Sequence, residues 1–77
     1  MNLAFDSLVD ARGLNCPWPV LRLRNALERL QEGKVVKVMS TEAQVEKDFR
    51  TFCSRTGNEF VGAKAGRTHI EIFVRKA

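Results

Sequence analysis

The chain has 77 residues, 44% of them hydrophobic, and a formal net charge of +4. This length is near the lower limit for a domain that folds without metals or disulfides, so we expect one continuous domain over residues 1–77. The sequence has no run of about 18 apolar residues, the length needed to cross a membrane. Its first residues do not resemble a signal peptide. We therefore expect a soluble, cytoplasmic protein, whose mildly basic charge favours an acidic partner surface or a nucleic acid without proving either.

The six elements of secondary structure follow from periodicity and turn residues. Strands are predicted over 5–10, 34–40, 58–65 and 68–76, and helices over 17–31 and from about 42 to 56. Each helix has a single apolar stripe, so both can lie on one face of a four-stranded sheet. The order βαβαββ therefore predicts an α+β fold, a two-layer α/β sandwich in which the first two strands are a parallel pair. The full strand order does not follow from periodicity.

The ends of the predicted helices are marked by ordinary stop and start signals. Gly33 is expected to end the first helix and Gly57 the second. Thr41 with Gln44 three residues later resembles a capping box, which places the start of the second helix near Glu42. The last strand alternates, with isoleucine and valine expected on one face and charged or aromatic residues on the other.

The two cysteines have different surroundings in the sequence. Cys53 lies on the apolar stripe of the second helix, where a buried, inert thiol is the expected state. The cysteines form no CxxC pair, and one histidine, His69, does not complete a zinc site with them. We expect free thiols, no metal and no cofactor, and an ordinary surface or sheet-face position for His69.

Cys16 stands directly before two prolines at the start of the first helix. With Cys16 as N-cap, Pro17 takes the first helical position and Pro19 the third, where neither proline removes a helical hydrogen bond. The amides of Trp18 and Val20 and the helix dipole then favour a thiolate over a thiol. Filling of a helix cap by a small residue is the alternative interpretation, and the two prolines weigh against it.

The arginines around this cysteine leave two interpretations open. Arg12, Arg22 and Arg24 are close to Cys16 in sequence, so they are candidates to add positive potential at the sulfur or to guide an acidic partner. An ordinary solvated helix face is the alternative.

The segment over residues 10–21, with the sequence DARGLNCPWPVL, resembles the CPxP signature of the TusA (SirA-like) sulfur-carrier family. The resemblance continues over nearly the whole chain, through Ala26-Leu27, Gly33, the strand over 35–39, Asp48, Phe52-Cys53 and residues 56–59. It implies a βαβαββ sandwich with two helices against a mixed four-stranded sheet, in agreement with the periodicity.

The family resemblance also implies a function. Cys16 matches the position that receives sulfane sulfur as a persulfide from a cysteine desulfurase or another donor and passes it to an acceptor protein. Gly13, Pro17 and Pro19 match the motif and, with Trp18, are expected to shape the site. The best-known role of the family is tRNA 2-thiouridine synthesis, and other members serve sulfur oxidation, thiosulfate use, molybdenum-cofactor synthesis or selenium metabolism.

The chain departs from the family pattern at two places. The loop Thr41-Glu42-Ala43 stands where an acidic, proline-containing loop is usual, so its partners are expected to differ if that loop touches them. Trp18 occupies the variable position of CPxP, where it either covers the sheet edge or acts as a docking anchor.

Two other classes of function are disfavoured relative to sulfur transfer. An RNA-binding or regulatory module is disfavoured, because the aromatic residues do not form an exposed stacking series interleaved with basic residues. Direct nucleic-acid binding is therefore not expected. A thiol redox protein is disfavoured because Cys16 has no resolving cysteine nearby in sequence.

Overall fold

The computed structural model describes residues 4–77, which form six elements in the predicted order. These are β1 (Ser7–Ala11), α1 (Trp18–Glu28), β2 (Val35–Ser40), α2 (Val45–Thr56), β3 (Glu59–Ala65) and β4 (Ile70–Arg75). The βαβαββ order and the two-layer α+β class are confirmed, and the strand bounds differ from the predicted ones by at most two residues. Within residues 4–77, no helix is both long and apolar enough to span a membrane.

The sheet is mixed, with the strand order β1-β2-β4-β3. β1 pairs with β2 in parallel, as predicted, and the two remaining pairings are antiparallel. β4 therefore lies inside the sheet, between β2 and β3, although it is last in the sequence. A register shift between Phe60 and Gly62 marks a bulge in β3, which is an edge strand.

The core lies between the sheet and the two helices. The residues at its centre come from every layer: Leu23 and Leu27 of α1, Val36 and Val38 of β2, Val45, Phe49 and Cys53 of α2, and Ile72 and Val74 of β4. Burying each large apolar side chain contributes about 1.5–3 kcal/mol relative to leaving it exposed. In β4 the predicted alternation is confirmed, since Ile70, Ile72 and Val74 all pack against this core.

α1 ends earlier than predicted, at Glu28, and Gly33 does not terminate it. The N–H of the C-cap residue Arg29 donates to the Ala26 carbonyl at 3.2 Å, and the Leu30 N–H donates to the Leu27 carbonyl at 3.1 Å, which tightens the last turn. Gly33 lies beyond this point with φ of +83°, and its N–H donates to the Lys76 carbonyl at 2.9 Å. This glycine therefore serves the turn that leads into β2 rather than the helix end.

α2 begins at Val45, later than the predicted start near residue 42. The predicted capping box is wrong, because no side chain caps this helix and Thr41 bonds elsewhere. The predicted end at Gly57 is confirmed. Gly57 has φ of +82°, a left-handed conformation that favours glycine, and its N–H donates to the Cys53 carbonyl at 2.9 Å.

Candidate functional site

The candidate site lies at the edge of the sheet where both helices begin. Because β1 and β2 are parallel, the segments that follow them leave the sheet at the same edge. The Gly13 N–H donates to Thr41 Oγ1 at 2.9 Å, which joins the segment before Cys16 to the loop Thr41-Glu42-Ala43. The two parts of the chain that the sequence singled out are therefore neighbours in the fold.

Gly13 provides the turn that leads from β1 to the cysteine. Its φ is +80°, and an added Cβ would meet no atom within 4 Å. The preference for glycine is thus conformational rather than steric. One residue later, the Leu14 N–H donates to the Ala11 carbonyl at 3.2 Å and closes the turn.

The start of α1 differs from the prediction by one residue. Pro17 is the N-cap, so Trp18 is the first helical residue, Pro19 is the second, and Cys16 lies just outside the helix. The Trp18 N–H donates to the Asn15 carbonyl at 2.9 Å, and this bond closes a turn before the helix begins. This amide, predicted to face the sulfur, is therefore already satisfied by the backbone.

Cys16 is exposed, and its thiol is a weaker acid than the sequence suggested. The pKa of Cys16 is raised, first by partial removal from water, then by the Asp48 carboxylate, and last by the charge of Glu42. The predicted preference for a thiolate is therefore wrong in the free protein. The physical reasons are the partial removal of the sulfur from water and, after it, the negative charge that α2 and its preceding loop bring to the sulfur.

The arginines of this region act elsewhere. Arg12 forms two hydrogen bonds of 2.9 Å with the Asp10 carboxylate, and this pairing lowers the pKa of Asp10 to about 2. Arg22 lines a separate groove of about 520 Å³ beside β1. No arginine of the described chain is among the groups that shift the pKa of Cys16, so the predicted positive potential at the sulfur is not observed.

A shallow groove of about 330 Å³ runs from the start of α1 along α2. Pro17 and Val20 form one wall, and Asp48 and Phe52 contribute to the other. The remaining lining residues come from α2: Lys47, Thr51, Arg55 and Thr56. The α1 wall of the groove is therefore apolar. The α2 wall carries one acidic group, Asp48, and two basic groups, Lys47 and Arg55.

Asp48 is the residue whose role the sequence did not reveal. It matched the family pattern, but nothing in its spacing set it apart from the other charged residues of α2. Its position beside Cys16 depends on the packing of α2 against α1, which brings together residues far apart in sequence. Its match to the family pattern and its place beside the apolar stripe of α2 were the signals available.

Trp18 is exposed beside the cysteine. Its exposed fraction is 57%, the largest among the big apolar residues of the described chain. A side chain that covered the sheet edge would have lost most of this exposure to packing. The interpretation of Trp18 as a sheet-edge cover is therefore not supported.

The second cysteine and the histidine occupy the ordinary positions that were predicted. Cys53 is buried in the core beside Phe49, and burial raises the pKa of its thiol. His69 is half-buried, with Nε2 3.5 Å from a Glu71 carboxylate oxygen and Nδ1 3.0 Å from Thr68 Oγ1. Neither residue adjoins Cys16.

The sheet face opposite the helices does not resemble an RNA-stacking platform. Lys37 Nζ lies 4.9 Å from the ring centre of Phe5 and 5.9 Å from that of Phe73. Phe73 is almost fully buried, and the other exposed aromatic residue, Trp18, lies beyond the opposite end of β1. The exposed aromatic rings are thus separated rather than aligned, in agreement with the sequence.

Comparison with known proteins identifies relatives over nearly the whole chain. The family model described as Sulfurtransferase TusA matches residues 7–76. The Sulfur carrier protein TusA of Allochromatium vinosum is 37% identical over 73 residues, which cover 95% of this chain and 96% of the relative. That of Pseudomonas entomophila is 35% identical over 75 residues, covering 97% and 94%. The crystal structure of the SirA-like protein of Desulfitobacterium hafniense superposes with a TM-score of 0.79 at 25% identity, covering 91% of this chain and 96% of that one.

Proposed function

This chain belongs to the TusA (SirA-like) family of sulfur carriers, and on that premise we propose that Cys16 carries sulfane sulfur as a persulfide. The observation that carries this proposal is the exposure of Cys16 at the sheet edge where both helices begin. A carrier must present its cargo to two protein partners in turn. An exposed sulfur beside a helix start that contains two prolines meets that need. We infer that the carrier works in the cytoplasm as a single domain.

The transfer is an exchange between two sulfur atoms. Cys16 Sγ, after losing its proton, attacks the outer sulfur of a donor persulfide, R–S–SH, and a new S–S bond forms on Cys16. The donor's S–S bond breaks, its electron pair leaves with the donor cysteine sulfur, and that sulfur takes up the proton. Cys16 is oxidised to a persulfide while the donor returns to a thiol, so no other oxidant is needed. An acceptor protein receives the sulfur by the same kind of exchange, in which the Cys16 persulfide is now the donor and Cys16 returns to a thiol.

The partners in this proposal are a donor protein, such as a cysteine desulfurase, and a downstream acceptor protein. Trp18 acts as a docking anchor for one of them, because a large exposed aromatic side chain beside the reactive atom gives a partner apolar surface to cover. The groove between Pro17 and Phe52 continues that surface along α2.

A loading assay tests the carrier role. The purified protein is incubated with a cysteine desulfurase and L-cysteine, and the intact mass is measured without reductant. We expect a gain of one sulfur atom in the wild type and in Cys53→Ala, and no gain in Cys16→Ser. Full loading of Cys16→Ser would overturn the proposal.

Of the pathways that the family serves, we propose tRNA 2-thiouridine synthesis as the destination of the sulfur. In a strain that lacks the corresponding gene, the 2-thiouridine content of bulk tRNA is measured by mass spectrometry. We expect the content to fall and to be restored by the wild-type protein but not by Cys16→Ser. An unchanged content would exclude this pathway and leave the sulfur-oxidation, thiosulfate, molybdenum-cofactor and selenium roles.

A further inference from the structure

β1 is an edge strand of the sheet, because it pairs with β2 on one side only. Within residues 4–77 no strand pairs with its other side, which therefore presents backbone N–H and C=O groups to a ligand. The opposite edge strand, β3, is interrupted by the bulge between Phe60 and Gly62, a feature that hinders further pairing. β1 keeps a regular register from Ser7 to Ala11. Of the two edges, β1 is therefore the one suited to accept another strand.

A groove of about 520 Å³ runs between this free edge and α1. One wall is the strand itself, over residues 7–10. The other wall is a stripe of α1 whose members recur every three or four residues: Arg22, Asn25, Ala26 and Arg29, followed by Leu30. The groove therefore combines the edge of a strand with a polar, basic wall.

The two arginines of this wall have no acidic partner inside the described chain. Arg22 and Arg29 are exposed, and neither forms a salt bridge with a carboxylate of residues 4–77. The acidic residue that lines the groove, Asp10, is already bonded to Arg12 at 2.9 Å. At a rise of about 1.5 Å per residue, the two arginines stand about 10 Å apart along the axis of α1. An extended ligand in the groove therefore meets positive charge at two separate points.

The opposite face of β1 adds apolar surface to the same edge. Val9 packs against the core beneath the helices, so its neighbour Leu8 points to the open face of the sheet. Leu8 is 52% exposed and pairs with Lys37, whose Nζ lies 4.9 Å from the ring centre of Phe5. The ring of Phe5 is itself 42% exposed. A strand paired with β1 would place alternate side chains beside this apolar surface and the others beneath the arginines.

We propose that the free edge of β1 binds an extended segment of a partner protein in which acidic and apolar residues alternate. The segment adds a fifth strand to the four-stranded sheet through backbone hydrogen bonds. Its acidic side chains pair with Arg22 and Arg29, and its apolar side chains cover Leu8. The proposal goes beyond the proposed function and does not depend on it. This groove shares no lining residue with the groove beside Cys16, so a segment bound here leaves the cysteine accessible.

Charge favours an acidic segment over a second copy of this chain. Antiparallel pairing of two β1 edges would place both α1 helices side by side on one face of the joined sheet. Arg22 and Arg29 of the two copies would then approach one another, and like charges repel. The net charge of +4 on each copy adds to this repulsion. A nucleic acid would meet the arginines but would leave the backbone edge and Leu8 unused.

Fluorescence anisotropy with a designed peptide tests the proposal. The probe is a blocked, fluorescein-labelled peptide of about eight residues in which glutamate and valine alternate, long enough to span β1. We expect saturable binding to the whole protein. A peptide of the same composition, with its glutamates in one block and its valines in another, should bind at least about tenfold more weakly, because its charges do not share one face. Equal affinity for the two peptides, or no binding of the alternating one, would overturn the proposal.

Paired substitutions test the charges of the groove. In Arg22→Gln/Arg29→Gln the affinity for the alternating peptide should fall by about tenfold or more, because two charge-assisted contacts are lost. Arg24→Gln/Arg67→Gln, at two exposed arginines outside the groove, removes the same charge and should bind like the wild type. An equal loss in both double variants would show unspecific attraction to a basic protein and would overturn the proposal.

Two other occupants are outcomes of the same assays. A single-stranded RNA oligonucleotide that displaces the probe and binds more tightly than it would make nucleic acid the ligand. A dimer of the protein, seen by sedimentation equilibrium and dissociated by the probe, would make a second copy the occupant. Either result would overturn the proposal, whereas we expect a monomer that RNA does not compete for.

N-methylated peptides and NMR test whether the backbone of β1 is used. N-methylation of every glutamate, or of every valine, blocks the N–H groups along one edge of the peptide. We expect one of these peptides to lose binding and the other to bind, whereas retained binding by both would overturn the pairing with β1. Two-dimensional NMR of the wild type with the unmodified probe locates the contact without any substitution. The amide signals of residues 7–10 should shift, and shifts confined to the segment around Cys16 would overturn the proposal.

Discussion

The two cysteines of this chain have different surroundings, although the pKa of each thiol is raised. Cys53 is buried in the core, and burial alone raises the pKa of its thiol. Cys16 is exposed, yet its pKa is also raised, by partial removal from water and by two carboxylates. Exposure at the start of a helix is therefore not sufficient to make a thiolate.

The comparison also shows which groups act on the pKa of a thiol at the start of a helix. A helix N-terminus carries roughly half a positive elementary charge, spread over several amides. Asp48 and Glu42 each bring a full negative charge to the same sulfur from α2 and its preceding loop. Together with the partial removal of the sulfur from water, these charges raise the pKa of Cys16, and the Trp18 amide is already bonded to the Asn15 carbonyl.

The largest expected difference between the two cysteines is in native-state labelling. Cys16 should react with a bulky maleimide on the order of a thousandfold faster than Cys53, because Cys53 reacts only through openings that cost several kcal/mol. Peptide mass spectrometry after short exposures at neutral pH gives both rates from one sample. Comparable rates in the folded protein would contradict the burial of Cys53.

Phe49→Ala should remove much of that difference. Phe49 is completely buried beside Cys53, and its truncation should lower the free energy of unfolding by about 3–5 kcal/mol. Urea denaturation measures the loss, and the labelling rate of Cys53 should rise with it while that of Cys16 changes little. Phe5→Ala, at a ring that is 42% exposed, is the matched control and should cost far less.

Thr41→Val tests the bond that ties the Cys16 segment to the neighbouring loop. We expect the free energy of unfolding to fall by about 1 kcal/mol, because the Gly13 N–H loses its partner Thr41 Oγ1. The Gly13 amide should also exchange its hydrogen faster, which two-dimensional NMR follows directly. Thr51→Val, at an exposed position of α2, is the control. Slow exchange of the Gly13 amide in Thr41→Val would show that another group holds the segment.

Trp18→Ala should have the smallest effect on stability, within about 0.5 kcal/mol, because the side chain is mostly exposed. If Trp18 anchors a partner, the variant should nevertheless be loaded more slowly by a donor protein, while its alkylation rate by iodoacetamide stays close to the wild-type value. Loading kinetics with a desulfurase compare the two proteins. Equal loading rates would remove Trp18 from the docking surface of that donor.

Much of the fold was predictable because it depends on local pattern. The apolar stripes of both helices, the alternation in β4 and the left-handed glycine after α2 are properties of short segments. The helix starts were less predictable. Pro17 rather than Cys16 is the N-cap, because the Trp18 N–H first closes a turn with the Asn15 carbonyl. Thr41 Oγ1 accepts the Gly13 N–H from the neighbouring loop instead of capping its own helix.

The sequence by itself determined the order of elements, the family and the choice of Cys16 over Cys53, because a motif and an apolar stripe are written in consecutive residues. Only the tertiary structure decided the strand order β1-β2-β4-β3 and the charge around the sulfur. Both depend on which distant segments meet. Packing of α2 against α1 brings Asp48 to Cys16, and charge acts through distance in space rather than along the chain.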